Sequence, residues 1–206
     1  MIKRSFIHLL FLIFSVTNLH SQMFILNEDF SSAEGITPPI EWHSILINGD
    51  NQDQWHFDNP GDQTIEFPIT SPFAIFDASH YSDNSIPEEV ALETPFFDAS
   101  VSNYIMLEFD HKFIEGNGSV CKIQANNGSS WVDVATFSSS LNTVTHEIVD
   151  ISGVCGGVTN AKLRFIWSGN GSGYWAIDNV SIYGALPLDA GISTIDNTAP
   201  PFNTGT

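Results

Sequence analysis

Basic residues are scarce. The 206-residue chain carries six Lys and Arg against 24 Asp and Glu, a formal net charge of −18. Lys3 and Arg4 precede the first acid, Glu28, so from there on 24 acids face four bases (6 − 2 = 4). A surface of this sign repels phosphate backbones and anionic lipid headgroups, which argues against nucleic-acid binding. The same excess of carboxylates favours divalent cations or a calcium-rich exterior. Cysteine is almost missing as well, with Cys121 and Cys155 alone and no CxxC. Thiol-redox chemistry and structural zinc are thereby disfavoured. In Cys121-x-Ile123-x-Ala125 the first cysteine alternates with inward-facing residues and reads as a small buried hydrophobe. Cys155 lies in the loop-like Gly153-Val154-Cys155-Gly156-Gly157. A Cys121–Cys155 disulfide, which export would permit, and two separate thiols are both open. Long apolar runs are lacking too. The h-region from Phe6 to Val16 falls short of the roughly 18 residues a membrane span needs.

What is present begins with a leader. Lys3 and Arg4, then the apolar run, then Asn18-Leu19-His20-Ser21 read as a secretory signal peptide over 1–21, cleaved after Ser21. The expected product is exported, secreted or displayed at the cell surface, with no membrane insertion after cleavage. Hydrophobics at 42% and aromatics at 12% suffice for a core and argue against disorder. After residue 22, helical periodicity gives way to short apolar runs broken by Gly, Asn, Ser, Asp and Pro. Leu163, Phe165 and Trp167 alternate with Lys162, Arg164 and Ile166, and Trp131 to Phe137 is rich in β-branched and aromatic residues. Tyr104 to Phe113 is long enough for a full strand, and Trp175 to Gly184 reads as the last one. Asn117-Gly118 and Asn127-Gly128 supply turn chemistry, because both residue types tolerate positive φ. Many short strands spaced by turns predict an all-β antiparallel sandwich over 22–184. Residues 185–206 form a linker or short tail, or the start of a further module.

Several elements, in order, resemble the jelly-roll modules called MAM domains, and more closely the related bacterial cleaved-adhesin domains. Glu28-Asp29-Phe30 resembles the opening acidic-aromatic strand, followed by Pro39-Ile40-Glu41-Trp42 and by the acidic loop Gly49-Asp50 through Asp53-Gln54-Trp55. Phe73-Ala74-Ile75-Phe76-Asp77 resembles a strand ending on Asp. Leu92-Glu93-Thr94-Pro95-Phe96-Phe97-Asp98 and Leu107-Glu108-Phe109-Asp110 follow in the family's order. Asn126-Asn127-Gly128-Ser129-Ser130-Trp131 is similar to its hairpin. Tyr174-Trp175-Ala176-Ile177-Asp178-Asn179-Val180 is similar to its closing strand. With two cysteines rather than four, the bacterial type fits better. Leu188-Asp189-Ala190-Gly191-Ile192 resembles the first strand of an immunoglobulin-like module, so further domains of the same polyprotein are expected.

The resemblance implies a jelly-roll sandwich with a structural calcium. In such a sandwich the first and last strands are neighbours, which would let Glu28 meet Asp178. The families place calcium there, reached also by the strand-ending acid matched by Asp77. Asp50 and Asp53 are further candidates from the adjoining loop. Calcium takes six to eight oxygen ligands, and carboxylates gathered without a cation would raise one another's pKa. The loop from Asn48 is no EF-hand, having neither the Gly nor the Glu that motif needs.

Enzyme motifs fail. His146-Glu147-Ile148-Val149-Asp150 begins like HExxH but ends on Asp in a strand context, and Gly169-Asn170-Gly171-Ser172-Gly173 has Gly where a nucleophilic Ser would stand. His43, His56, His80 and His111 form no metal spacing and are read as surface or half-buried strand residues. Trp167 and Trp175 alternate with apolar residues and belong in the core, whereas Trp131 follows a turn and is the candidate for stacking on a sugar. The expected function is a noncatalytic, calcium-stabilised adhesion or binding module, presenting loops to an extracellular protein or glycan. An accessory domain of a larger secreted hydrolase and a structural spacer in a surface array are the alternatives.

Overall fold

The computed structural model describes residues 22–81 and 86–185, so the leader at 1–21 and the segment 186–206 lie outside the described residues. The strands are β1 (Gln22–Glu28), β2 (His43–Asn48), β3 (Ala74–Asp77), β4 (Glu88–Glu93) and β5 (Ile105–Ile114), followed by β6 (Val120–Asn126), β7 (Trp131–Phe137), β8 (Thr145–Asp150), β9 (Lys162–Gly169) and β10 (Tyr174–Ala185). One-turn helices α1 (Ala78–Tyr81) and α2 (Ser152–Cys155) interrupt them. The expected loop around Cys155 is therefore partly α2. Asp150 accepts from Ser152 N at 2.9 Å and Ile151 O accepts from Cys155 N at 2.9 Å, which winds the chain before its glycines.

All pairings are antiparallel and form two sheets. In the first, β1-β10-β5-β8 are neighbours and β3 also pairs with β10; in the second the order is β2-β4-β9-β6-β7. This is the jelly-roll sandwich. Strand β10 spans two partners along one edge. Tyr174 to Ile177 face β3, and Val180 to Ala185 face β1. At the joint, Asn179 has φ +52° and the register with β5 shifts between Asp178 and Ser181, a β-bulge.

Period-two alternation fills the space between the sheets. Ile105, Leu107, Phe109 and Phe113 of β5 meet Val90, Leu92, Ile123, Leu163, Phe165 and Trp167 of the second sheet in one cluster. Trp175 lies 5.7 Å from Trp55 and 5.8 Å from Phe165, ring centre to ring centre. Trp42, Trp55, Trp167 and Trp175 are buried. Each large apolar side chain so placed contributes about 1.5–3 kcal/mol. Glu88 is buried with them and accepts from Trp167 Nε1 at 2.9 Å and Gly171 N at 3.1 Å. Cys121 and Cys155 are free, buried thiols, so the disulfide is not formed here. Burial pushes Cys155 up to about 11 and Cys121 well above its ordinary range.

A second apolar cluster lies outside the sandwich. Ile69 and Phe73 fold over Ile75, Tyr174 and Ala176 on the outer face of the first sheet. Residues 59–73 thus cover the part of that face where β3 pairs with β10.

Candidate functional site

The expected metal ligands fall in three places. Glu28 closes β1 opposite the core-facing Val180, two positions along β10 from Asp178, which pairs with Asp110 before the β-bulge. Glu28 and Asp178 both already take backbone N–H groups. Glu28 Oε1 accepts from Phe30 N at 2.8 Å, while Asp178 accepts from Thr70 N at 3.0 Å and Asn179 N at 2.8 Å. Burial raises the Asp178 carboxyl to about 6, against the pull of those two N–H donors and with a smaller push from Asp29 and Asp110. Burial raises Glu28 as well. Asp77 stands opposite Tyr174, four positions along β10 from Asp178, or about 13 Å at strand spacing. Its Oδ2 accepts from Gln63 Nε2 at 2.9 Å, and its buried Oδ1 has no hydrogen-bond partner. Asp50 and Asp53 shape the loop after β2. Asp53 Oδ2 accepts from Asp50 N at 2.8 Å and Asp50 Oδ1 from Gln52 N at 2.7 Å. Among the described residues, no three His, Cys, Asp or Glu side chains form a metal-holding group.

Two of the histidines are not surface residues. His111 is fully buried, accepts from Trp175 Nε1 at 3.2 Å through Nδ1, and is pulled down to about 4 by burial, so it is neutral at pH 7. His56 is buried and stacked on Tyr81, ring centres 4.6 Å apart. The alternation of β5 puts His111 on the same face as Phe109 and Phe113, a signal that the sequence carried.

The outer face of the second sheet is different in kind. Because Leu163, Phe165 and Trp167 point inward, Lys162, Arg164 and Ile166 point out. Antiparallel register sets Glu93 of β4 opposite Arg164 of β9, Arg164 opposite Gln124 of β6, and Gln124 opposite Asp133 of β7; His43 of β2 stands beyond Glu93. This row is bonded across the strands. Arg164 Nε donates to Gln124 Oε1 at 2.7 Å, Gln124 Nε2 to Asp133 Oδ1 at 2.5 Å and Lys122 Nζ to Asp133 Oδ2 at 2.8 Å. Lys162 donates to Glu93, whose other oxygen lies 3.9 Å from Arg164. Hydrogen bonds from Lys122, then Gln124, hold the Asp133 carboxyl below the usual range.

Aromatic rings flank the row. The Arg164 guanidinium lies 4.3 Å over the Trp131 ring, and the Lys162 ammonium lies 5.0 Å over Phe96. Phe96 is 62% exposed. A hollow of about 310 Å³ opens beside it, walled by Glu41, His43, Pro95, Phe96 and Lys162. Lys122, Lys162 and Arg164 are three of the four bases beyond residue 4 in a chain of net charge −18. The arrangement presents fixed hydrogen-bond donors and acceptors between apolar ring planes, which is what recognition of a polyhydroxyl ligand requires. Trp131 was legible from its place after a turn. Phe96 and the cross-strand row were not, since register is needed to bring them together.

No family model matches the sequence, and no curated protein sequence matches it. Solved structures do match the fold. The K1 cleaved adhesin domain of Lys-gingipain from Porphyromonas gingivalis superposes with a TM-score of 0.59 at 17% identity, over 79% of this chain and 99% of that one. The K3 domain of the same protein superposes with a TM-score of 0.58 at 15% identity, over 80% of this chain and 100% of that one. TmCBM61 in complex with β-1,4-galactotriose gives a TM-score of 0.51 at 9% identity, over 75% and 93% of the two chains. The fold is thus that of cleaved-adhesin and carbohydrate-binding sandwiches. No helix among the described residues is long and apolar enough to cross a membrane.

Proposed function

We propose that this chain is a noncatalytic glycan-binding module of an exported, adhesin-type protein, and that it takes its ligand on the outer face of the second sheet. The observation that carries the reading is Trp131 and Phe96, flanking the bonded row Glu93–Arg164–Gln124–Asp133 on that face. A sandwich fold shared with a galactotriose-bound module supports it. The catalytic alternatives find no comparable support in the side chains. His146 is engaged with Asp110 at 2.9 Å, and His111 is held neutral in the core. Affinity electrophoresis through gels containing neutral and acidic polysaccharides tests the reading. Retardation of the chain that is lost in Trp131→Ala supports it, and unretarded migration in every polysaccharide refutes it.

Calcium at Glu28 and Asp178 is a separate proposal, supported by the raised Asp178 carboxyl with Asp29 and Asp110 near it. A cation there would relieve the cost of ionising a buried acid. A melting midpoint that rises in millimolar calcium, and does not rise in Asp178→Ala, is the expected result; equal midpoints in calcium and chelator would remove the site.

A further inference from the structure

The charges on the outer face of the second sheet carry the reading one step further, to the class of glycan, and this step rests on the glycan-binding function proposed above. Lys122, Lys162 and Arg164 give the face its cations, and each already stands beside a carboxylate. Lys122 is bonded to Asp133 at 2.8 Å, Lys162 to Glu93, and Arg164 has its Nε on Gln124 and its planar face on Trp131. Glu93, Glu89 and Asp133 all act electrostatically on Arg164, and Glu41 borders the hollow beside Lys162. Three cations therefore face four carboxylates, within a chain of net charge −18. A carboxylated or sulfated sugar approaching the Arg164 Nη groups would share them with Glu93, 3.9 Å from Nη1, and would be set against Glu93 and Asp133 in a repelling field.

A sugar hydroxyl meets none of these penalties. It donates and accepts at once, so neighbouring hydroxyls can donate to the Glu93 or Asp133 carboxylate while accepting from Arg164, Lys162 or the Gln124 amide. The row crosses five strands, from His43 to Asp133, about 19 Å at ordinary strand spacing. That is long enough for several rings laid across the strands, with apolar ring faces against Trp131 at one side and Phe96 at the other. We propose that the face selects uncharged linear oligosaccharides and rejects those bearing carboxylate or sulfate. The salt bridges serve to order the carboxylates and to cancel the cations.

Matched pairs test this. The full chain is titrated calorimetrically with β-1,4-mannohexaose and β-1,4-hexamannuronate, and with cello- and galacto-oligosaccharides against their C6-oxidised forms, at about 50 and about 500 mM NaCl. The neutral member of at least one pair should bind at least tenfold tighter than its acidic partner, with less than a twofold change between the two salt concentrations. In Glu93→Gln, which leaves Lys162 and Arg164 without their shared carboxylate, the acidic-to-neutral affinity ratio should rise at least fivefold. Asp133→Asn, on the exposed edge strand, should move the ratio the same way should Glu93→Gln fail to fold. Acidic members that bind as tightly as neutral ones, through Trp131, would overturn this inference and leave the glycan function standing. Binding to no member of any pair would overturn both.

Discussion

Asp178 and His111 should impose opposite pH dependences on stability, and substitutions separate them. Asp178 has its carboxyl raised by burial to about 6, from an ordinary value of 3.8. The folded chain therefore holds a proton there that the unfolded chain has released, over the window from about pH 6 down to about pH 4. Stability from this group grows as the pH falls through that window, and is absent above it. The shift of about two pH units corresponds to about 3 kcal/mol at most. Chemical denaturation of the wild type and of Asp178→Asn in excess chelator, followed by circular dichroism at several pH values from 7 to 4, reads it. The wild type should gain about 3 kcal/mol on the variant across the range, whatever their difference at pH 7. His111 works the other way. Burial lowers it to about 4 from 6.5, so its contribution is full above 6.5 and lost as the pH falls towards 4. Relative to His111→Gln, the wild type should lose about 3 kcal/mol over that range. A pH-independent difference for either variant, or one of the wrong sign, would refute the burial argument for that residue.

Other consequences can be checked with simpler measurements. Trp131→Ala should weaken glycan binding at least tenfold in titration calorimetry while changing the melting midpoint little, because the ring packs on Arg164 at the surface rather than in the core. Trp167→Phe should cost about 3 kcal/mol in chemical denaturation, from lost volume and from Glu88 losing one of its two donors in the core. Neither cysteine should react with a thiol reagent in the folded chain, and both should react once it is unfolded, since both are buried and protonated.

The strands were legible because sandwich strands alternate. Leu163-x-Phe165-x-Trp167 and the Trp131 to Phe137 run fall in β9 and β7 as their patterns require. The pairing of first and last strands also holds, from Gln22 opposite Ala185 to Glu28 opposite Val180. Less legible was what lies off the strands. Residues 59–73 carry Ile65, Ile69 and Phe73 four positions apart, a spacing no strand uses and one interrupted by Pro68 and Pro72, yet these pack on Ile75 and Tyr174. Asp77 shows the limit of motif reasoning. Its place at a strand end was readable, but β10 pairs with β3 and β1 at different heights, which keeps Asp77 four positions from Asp178. Cross-strand register likewise assembles the Glu93–Arg164–Gln124–Asp133 row from strands far apart in sequence.

A two-layer sandwich offers two outer faces, and the way this chain spends its few bases distinguishes them. On the first sheet, the fourth base, Lys112, is buried on the outer side beneath residues 59–73. Its ammonium donates to Thr64 O at 2.8 Å and to both oxygens of Glu66 at 2.9 and 2.8 Å. Asp110 and Asp178 are buried on that side too, closed over by Asn179, Pro68 and Thr70. That cation fastens the covering segment over the part of the face where β3 pairs with β10. On the second sheet the other three bases lie on the outer face, where Lys122 and Asp133 keep 37% and 44% of their side chains exposed and Lys162, Arg164 and Glu93 keep 13%, 18% and 14%. Ordering long charged side chains at an open surface costs conformational entropy, and surface ion pairs return about 0–1 kcal/mol each. Fold stability alone therefore gives little reason to set the exposed Lys122–Asp133 pair at the end of a row that runs on through Gln124 and Arg164, between the half-buried Trp131 and the exposed Phe96. A ligand that lies along the row, and uses its fixed donors and acceptors, gives that reason.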